Sequence, residues 1–157
     1  MPVSARNIIQ MTFDEFGKVA GGTKKSGSWY WRSAETVFVL NLQKSQYGPQ
    51  YYVNVGLWLL SLGPAETPKD HQCPIRTRLD NLVPADKEAG LTTLLDLESP
   101  VDDELRREEL LALLRSVLLP LLDTTSTLEG LRAAAGQRLV GVSLVAGDAQ
   151  RLLVSGG

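Results

Sequence analysis

Apolar and polar positions alternate over residues 36–60 (TVFVLNLQKSQYGPQYYVNVGLWLL) in two runs separated by Tyr47-Gly48-Pro49. Side chains on a strand alternate faces with a period of two, so these runs predict two strands joined by a turn. Pairing Ser45 with Gln50 sets Gln43 opposite Tyr52, Asn41 opposite Asn54 and Val39 opposite Gly56. One face then carries Phe38, Leu40, Leu42, Tyr51, Val53, Val55 and Leu57, which is a core face. The other carries Val37, Val39, Asn41, Gln43, Tyr52, Asn54 and Trp58 and is unexpectedly polar. A slip of one residue on one strand would mix the two sets, so the pattern favours this register.

The strand before the hairpin is Ser28-Trp29-Tyr30-Trp31-Arg32, joined to it by a tight turn at Ala34-Glu35. A two-residue loop puts Trp29 and Trp31 on the core face beside Leu40 and Phe38, with Tyr30 and Arg32 on the polar face. Residues 73–82 (CPIRTRLDNL) form a fourth candidate, with Ile75 and Leu79 inward and Arg76, Arg78 and Asp80 outward. The fold class is therefore α+β: a four-stranded antiparallel meander with one face covered by N-terminal and C-terminal helices.

The flanks have helical spacing. Residues 4–20 repeat Ile8, Ile9, Met11, Phe13, Phe16 and Val19, with Ser4 as N-cap and Gly21-Gly22 as the stop. The Gly-rich, lysine-bearing stretch through Gly27 reads as a turn between helix and strand. Ser99, Pro100 and Asp102 predict the start of a long leucine-rich helix that Pro120 should kink or end. A second helix is expected from Ser126 to Ala135, stopped at Gly136. Residues 83–99 and 138–146 fit either helix or strand. A chain of 157 residues suits one domain, with a sheet-rich half at 22–82, a helical half at 83–136 and a tail at 137–157.

Combinations of short motifs carry a resemblance. Gly22-Thr23-Lys24-Lys25, Trp29-Tyr30-Trp31-Arg32, Leu42-Gln43-Lys44-Ser45, Tyr51-Tyr52-Val53-Asn54-Val55-Gly56 and Cys73-Pro74-Ile75-Arg76-Thr77-Arg78-Leu79 together resemble a bacterial domain-of-unknown-function family, number 4304. The likeness is strong over about residues 5–82 and loose over the helical remainder. It implies a small cytosolic α+β domain and brings no reaction with it. Pro74 stands where a histidine often follows the cysteine in that pattern, which weakens any family role for a histidine here.

Composition narrows the setting. The charged fraction of 22% is that of an ordinary soluble protein, and no run of eighteen uncharged apolar residues predicts a membrane span. One cysteine excludes an internal disulfide and suits a reducing cytoplasm. The net charge of −2 conceals an asymmetry: residues 1–82 hold nine Lys/Arg against six Asp/Glu, and residues 83–157 hold seven against twelve. That balance is far from the basicity of a committed nucleic-acid binder.

Catalytic signals are weak. One histidine, His71, and one cysteine, Cys73, are too few for a Cys/His metal site, so neither metal nor cofactor is expected. The acidic pairs at the start of the long helix read as solvated charge. The informative surface is the outer sheet face, where Tyr30, Arg32, Asn41, Gln43, Tyr52, Asn54, Trp58, Arg76 and Arg78 converge in this register. Amides, arginines and aromatics are what binding surfaces favour, although a later helix could cover part of the face and Asn41 could simply pair with Asn54. The expectation is a non-catalytic bacterial module that binds a protein partner, of the immunity or antitoxin-like inhibitor kind. The alternative is a binder of a small anionic ligand or single-stranded nucleic acid through the polar face. An enzyme built around His71 and the arginines ranks last.

Overall fold

The structure is a computed structural model that describes residues 6–154, without the side chains of residues 134 and 135. Ser4, the expected first cap, lies outside the described residues. Helix α1 (Ile8–Val19) is capped by Asn7, whose Oδ1 accepts the Gln10 backbone N–H at 2.9 Å while Gln10 Oε1 accepts the Asn7 N–H at 3.1 Å. This reciprocal pair satisfies two donors that the first turn would leave open. The helix stops at Gly21, whose φ of +82° is cheap only for glycine.

Among the described residues the sheet has six strands, not the four expected: β1 (Thr23–Lys25), β2 (Ser28–Arg32), β3 (Thr36–Lys44), β4 (Tyr51–Leu59), β5 (Ile75–Arg78) and β6 (Leu144–Val145). All neighbours are antiparallel and follow one another in chain order. The two additional strands are short edge strands. All three residues of β1 are exposed, and β6 has only two residues, so neither shows an alternation that a sequence pattern could reveal. The central register is the expected one, with Asn41 opposite Asn54 and Gln43 opposite Tyr52. Trp29 and Trp31 stand opposite Leu40 and Phe38.

Helices cover the inner sheet face. Helix α2 spans Glu88–Leu94, α3 Asp103–Thr124, α4 Leu128–Arg132, α5 Ala134–Gly141 and α6 Gly147–Val154. Each of the six contributes to one apolar cluster with Phe38, Leu40, Val53, Val55 and Leu57. Burial of each such side chain is worth about 1.5–3 kcal/mol, which fixes the sheet's orientation and leaves its other face outward. Phe13 meets Trp29 with ring centroids 5.9 Å apart, and Phe16 meets Trp31 at 6.1 Å. Among the described residues no helix is long and apolar enough to cross a membrane.

Two helix starts differ from expectation, and Pro120 does not end its helix. Asp102, not Ser99, caps α3, because residues 93–101 wrap around Arg106. This arginine is 2% exposed and donates to the carbonyls of Thr93, Leu94, Asp96 and Ser99 at 2.7–3.2 Å. Of the kink or end expected at Pro120, the end does not occur: α3 continues to Thr124. The carbonyl that loses its N–H donor there belongs to exposed Ser116, where water can replace the bond. The expected 126–135 helix is two helices that meet at Ala133, with Thr127 as the first cap. Gly136 lies inside α5, not at its end, and the Gly130 carbonyl oxygen would stand 2.3 Å from a Cβ there, so this glycine serves close packing and not a helix stop.

Candidate functional site

The outer sheet face divides in two. Residues 60–74 fold back over the half formed by β2 and the paired ends of β3 and β4, so a loop provides the cover rather than a helix. Trp58 Nε1 donates to the Gly63 carbonyl at 2.8 Å, Arg32 to that of Ala65 at 2.6 Å, and Lys25 Nζ to Thr67 Oγ1 at 3.2 Å. Tyr30, Val37, Val39 and Cys73 form a second small apolar cluster beneath it. The cover can lie flat because β4 has Gly56 there: a Cβ would sit 2.8 Å from Cys73 Sγ and 3.2 Å from Asp70 Cα. Three of the nine sequence-selected residues are thus wholly committed to this arrangement, and a fourth, Arg76, stays exposed but donates to the cover at the His71 carbonyl. Tyr30 is buried, and Arg32 and Trp58 hold the cover down.

Burial pushes the Tyr30 phenol above its ordinary value. It pushes the Cys73 thiol up to about 12, with the Asp70 carboxylate adding to the rise and Arg76 opposing it. That is the wrong direction for a nucleophilic thiolate. His71 lies on the short 3-10 turn Asp70–Gln72, and its carbonyl, not its ring, accepts a 2.9 Å bond from Arg76.

The other half of the face stays open and brings the remaining six residues together. Asn54 Nδ2 donates to Asn41 Oδ1 at 3.0 Å and to Gln43 Oε1 at 2.9 Å. Asn41 Nδ2 in turn donates to Ser28 Oγ at 2.9 Å. The amides form a cross-strand chain that fixes their orientation. Beside them the Arg78 guanidinium carbon lies 4.6 Å from the Tyr52 ring centroid, a cation–π arrangement. Arg76 and Arg78 are two residues apart on β5 and point to the same side.

A groove of about 540 Å3 adjoins this patch, lined by Asn54, Asp70, His71, Arg76, Arg78 and Asn81 on one side and by 142–144 on the other. The sequence pattern identified the arginines and Asn54. It did not identify Asn81 or Ser143, because neither shares a strand period with them and Ser143 joins only through the distant pairing of β6 to β5.

A family model described as "Domain of unknown function (DUF4304)" matches residues 14–124. The chain belongs to the DUF4304 family. The matched span runs from within α1 to the end of α3, so it includes the whole open patch. Elements α4, α5, β6 and α6 of this DUF4304 protein lie beyond it, and the segment from the end of α5 into β6 supplies the 142–144 wall of the groove. No curated protein and no solved structure matches the chain.

Proposed function

We propose that this DUF4304 protein is a non-catalytic protein-binding module of a bacterial cytoplasm, of the immunity or antitoxin-like inhibitor kind, and that the open half of its outer sheet face is the contact. The observation that carries this reading is the pair of half-buried Tyr52 and exposed Arg78, set beside the amide chain of Asn41, Asn54 and Gln43. Arginine and tyrosine are the residue types that dominate protein interfaces. Here both are held before any partner arrives, which reduces the ordering cost of association. Burial of the Cys73 thiol supports a role without nucleophilic chemistry at that position.

The test is affinity capture of the tagged protein from its source cells, with and without nuclease, using wild type, Tyr52→Ala and Arg78→Ala. The expected result is a stoichiometric protein that survives nuclease and is lost from both variants, each truncation weakening binding by about 1 kcal/mol or more. A partner retained by both folded variants would refute the contact surface.

One observation favours a second reading, in which the same face takes a small anion or single-stranded nucleic acid: Arg76 and Arg78 stand beside the groove with Tyr52 available for stacking. Material lost on nuclease treatment, with affinity falling steeply as salt rises, would select it over the first.

A further inference from the structure

A second groove of about 560 Å3 lies on the same face, lined by Trp58, Leu62, Pro74 and Val145 among others. It shares His71, Arg76 and Leu144 with the groove beside Asn54 and Arg78. The two therefore meet at the waist where Arg76 stands opposite Leu144 in the β5–β6 ladder. The Arg76 bond to the His71 carbonyl holds one side of that waist in place.

The two ends differ in chemistry. At one end Trp58 and Leu62 present apolar surface, and at the waist Leu144 is 68% exposed. At the other end Arg76 and Arg78 face the amides of Asn54 and Asn81, with Asp70 the one carboxylate on that lining. Two cations against one anion leave a positive site. Asp148, the carboxylate at the apolar end, is paired with Arg151.

We propose that the two grooves form one track for an extended peptide segment of the protein partner, one that carries a bulky apolar side chain followed by carboxylates two and four residues further along. This deepens, and rests on, the protein-binding reading above. Side chains on one side of an extended chain recur every two residues, about 6.6–6.8 Å apart, the same interval that separates Arg76 from Arg78 on β5. The apolar side chain packs against Trp58, Leu62 and Leu144, and the carboxylates reach Arg76 and then Arg78. A peptide is the occupant, not a fatty acid, because the apolar end is open: Leu62 and Leu144 would leave a lone alkyl tail half in water, whereas a backbone with flanking side chains covers both.

The test is fluorescence anisotropy of the full chain with a fluorescein-labelled hexapeptide that has leucine at its second position, aspartate at its fourth and sixth, and alanine elsewhere. Control peptides replace both aspartates by asparagine, or the leucine by alanine, and octanoate serves as a competitor. Wild type should bind the acidic peptide about tenfold more tightly than the asparagine peptide. Arg76→Ala should remove that preference. Leu144→Ser, at an exposed position that the fold does not need, should remove the preference for leucine over alanine.

Equal binding of the acidic and asparagine peptides by wild type overturns the proposal. So does an unchanged preference in Arg76→Ala with its circular dichroism intact, or full displacement of the peptide by octanoate. Failure here is separable from failure of the protein-binding reading. A captured partner that depends on Tyr52 and not on Arg76 or Leu144 sinks the track and keeps the face. A partner indifferent to Tyr52 and Arg78 sinks the face itself.

Discussion

Adding one methyl group at Gly56 tests whether the cover over the outer face depends on the bare backbone of β4. In Gly56→Ala the new Cβ meets Cys73 Sγ at 2.8 Å, Cys73 Cβ at 3.0 Å and Asp70 Cα at 3.2 Å. Contacts this close cannot persist, so residues 70–73 must lift or the strand must bend. The turn resists, because the Cys73 N–H donates to the Asp70 carbonyl at 3.1 Å and Arg76 holds the His71 carbonyl. Overpacking of this kind costs about 1–3 kcal/mol. Against it stands the backbone entropy that alanine saves relative to glycine, about 0.5–1 kcal/mol. From the middle of each range, about 2 against about 0.75 kcal/mol, the balance is a net loss of about 1–1.5 kcal/mol, or about 2–6 °C in Tm for a chain of this size.

Urea unfolding followed by tryptophan fluorescence measures that loss. The reaction of Cys73 with a thiol reagent at pH 8 reports whether the cover has lifted. Cys73→Ala in the same background should restore part of the stability by removing the nearest atom. Gly90→Ala provides the opposite sign: a Cβ on this helical glycine would have no neighbour within 4 Å, so alanine should stabilise by about 0.5–1 kcal/mol. A Gly56→Ala protein as stable as wild type, with Cys73 equally slow to react, would refute the packing argument.

Arg106→Met should cost about 1–3 kcal/mol in urea unfolding, because it leaves the buried Leu94 carbonyl without its donor and takes a second donor from the carbonyls of Thr93, Asp96 and Ser99. A loss under about 1 kcal/mol would show that water replaces the guanidinium there. Stability should also fall as pH rises from about 9 towards about 12. The unfolded Cys73 thiol ionises from its ordinary value of 9.0, while burial holds the folded one to about 12, so the unfolded state binds fewer protons across that window. Burial of Tyr30 acts in the same direction above pH 10. Cys73→Ala should therefore flatten only part of the alkaline slope, and an unchanged slope would exclude the cysteine as a source.

Local pattern determined much of this protein. The alternation over residues 36–60 set the register of β3 and β4 and separated the core face from the polar one, because a period of two leaves one arrangement that keeps Phe38, Leu40, Val53 and Val55 dry. The same parity placed Trp29, Trp31, Ile75 and the two arginines of β5 on their observed faces. What the pattern could not decide depended on contacts between residues far apart in the chain. The short edge strands β1 and β6 exist by pairing, not by periodicity. The start of α3 moved to Asp102 because Arg106 gathers the preceding backbone, and α3 passes through Pro120, where the carbonyl without a helical donor belongs to exposed Ser116. Only tertiary structure sorted the nine outer-face residues, since the loop at 60–74 has no period of its own. It closes over Tyr30 and engages Arg32, Trp58 and, at the His71 carbonyl, Arg76, leaving Tyr52, Arg78 and the three amides open. Side-chain parity is a local property and can be read from spacing, whereas the folding back of a polar loop is fixed by a few distant hydrogen bonds and by the room that Gly56 leaves.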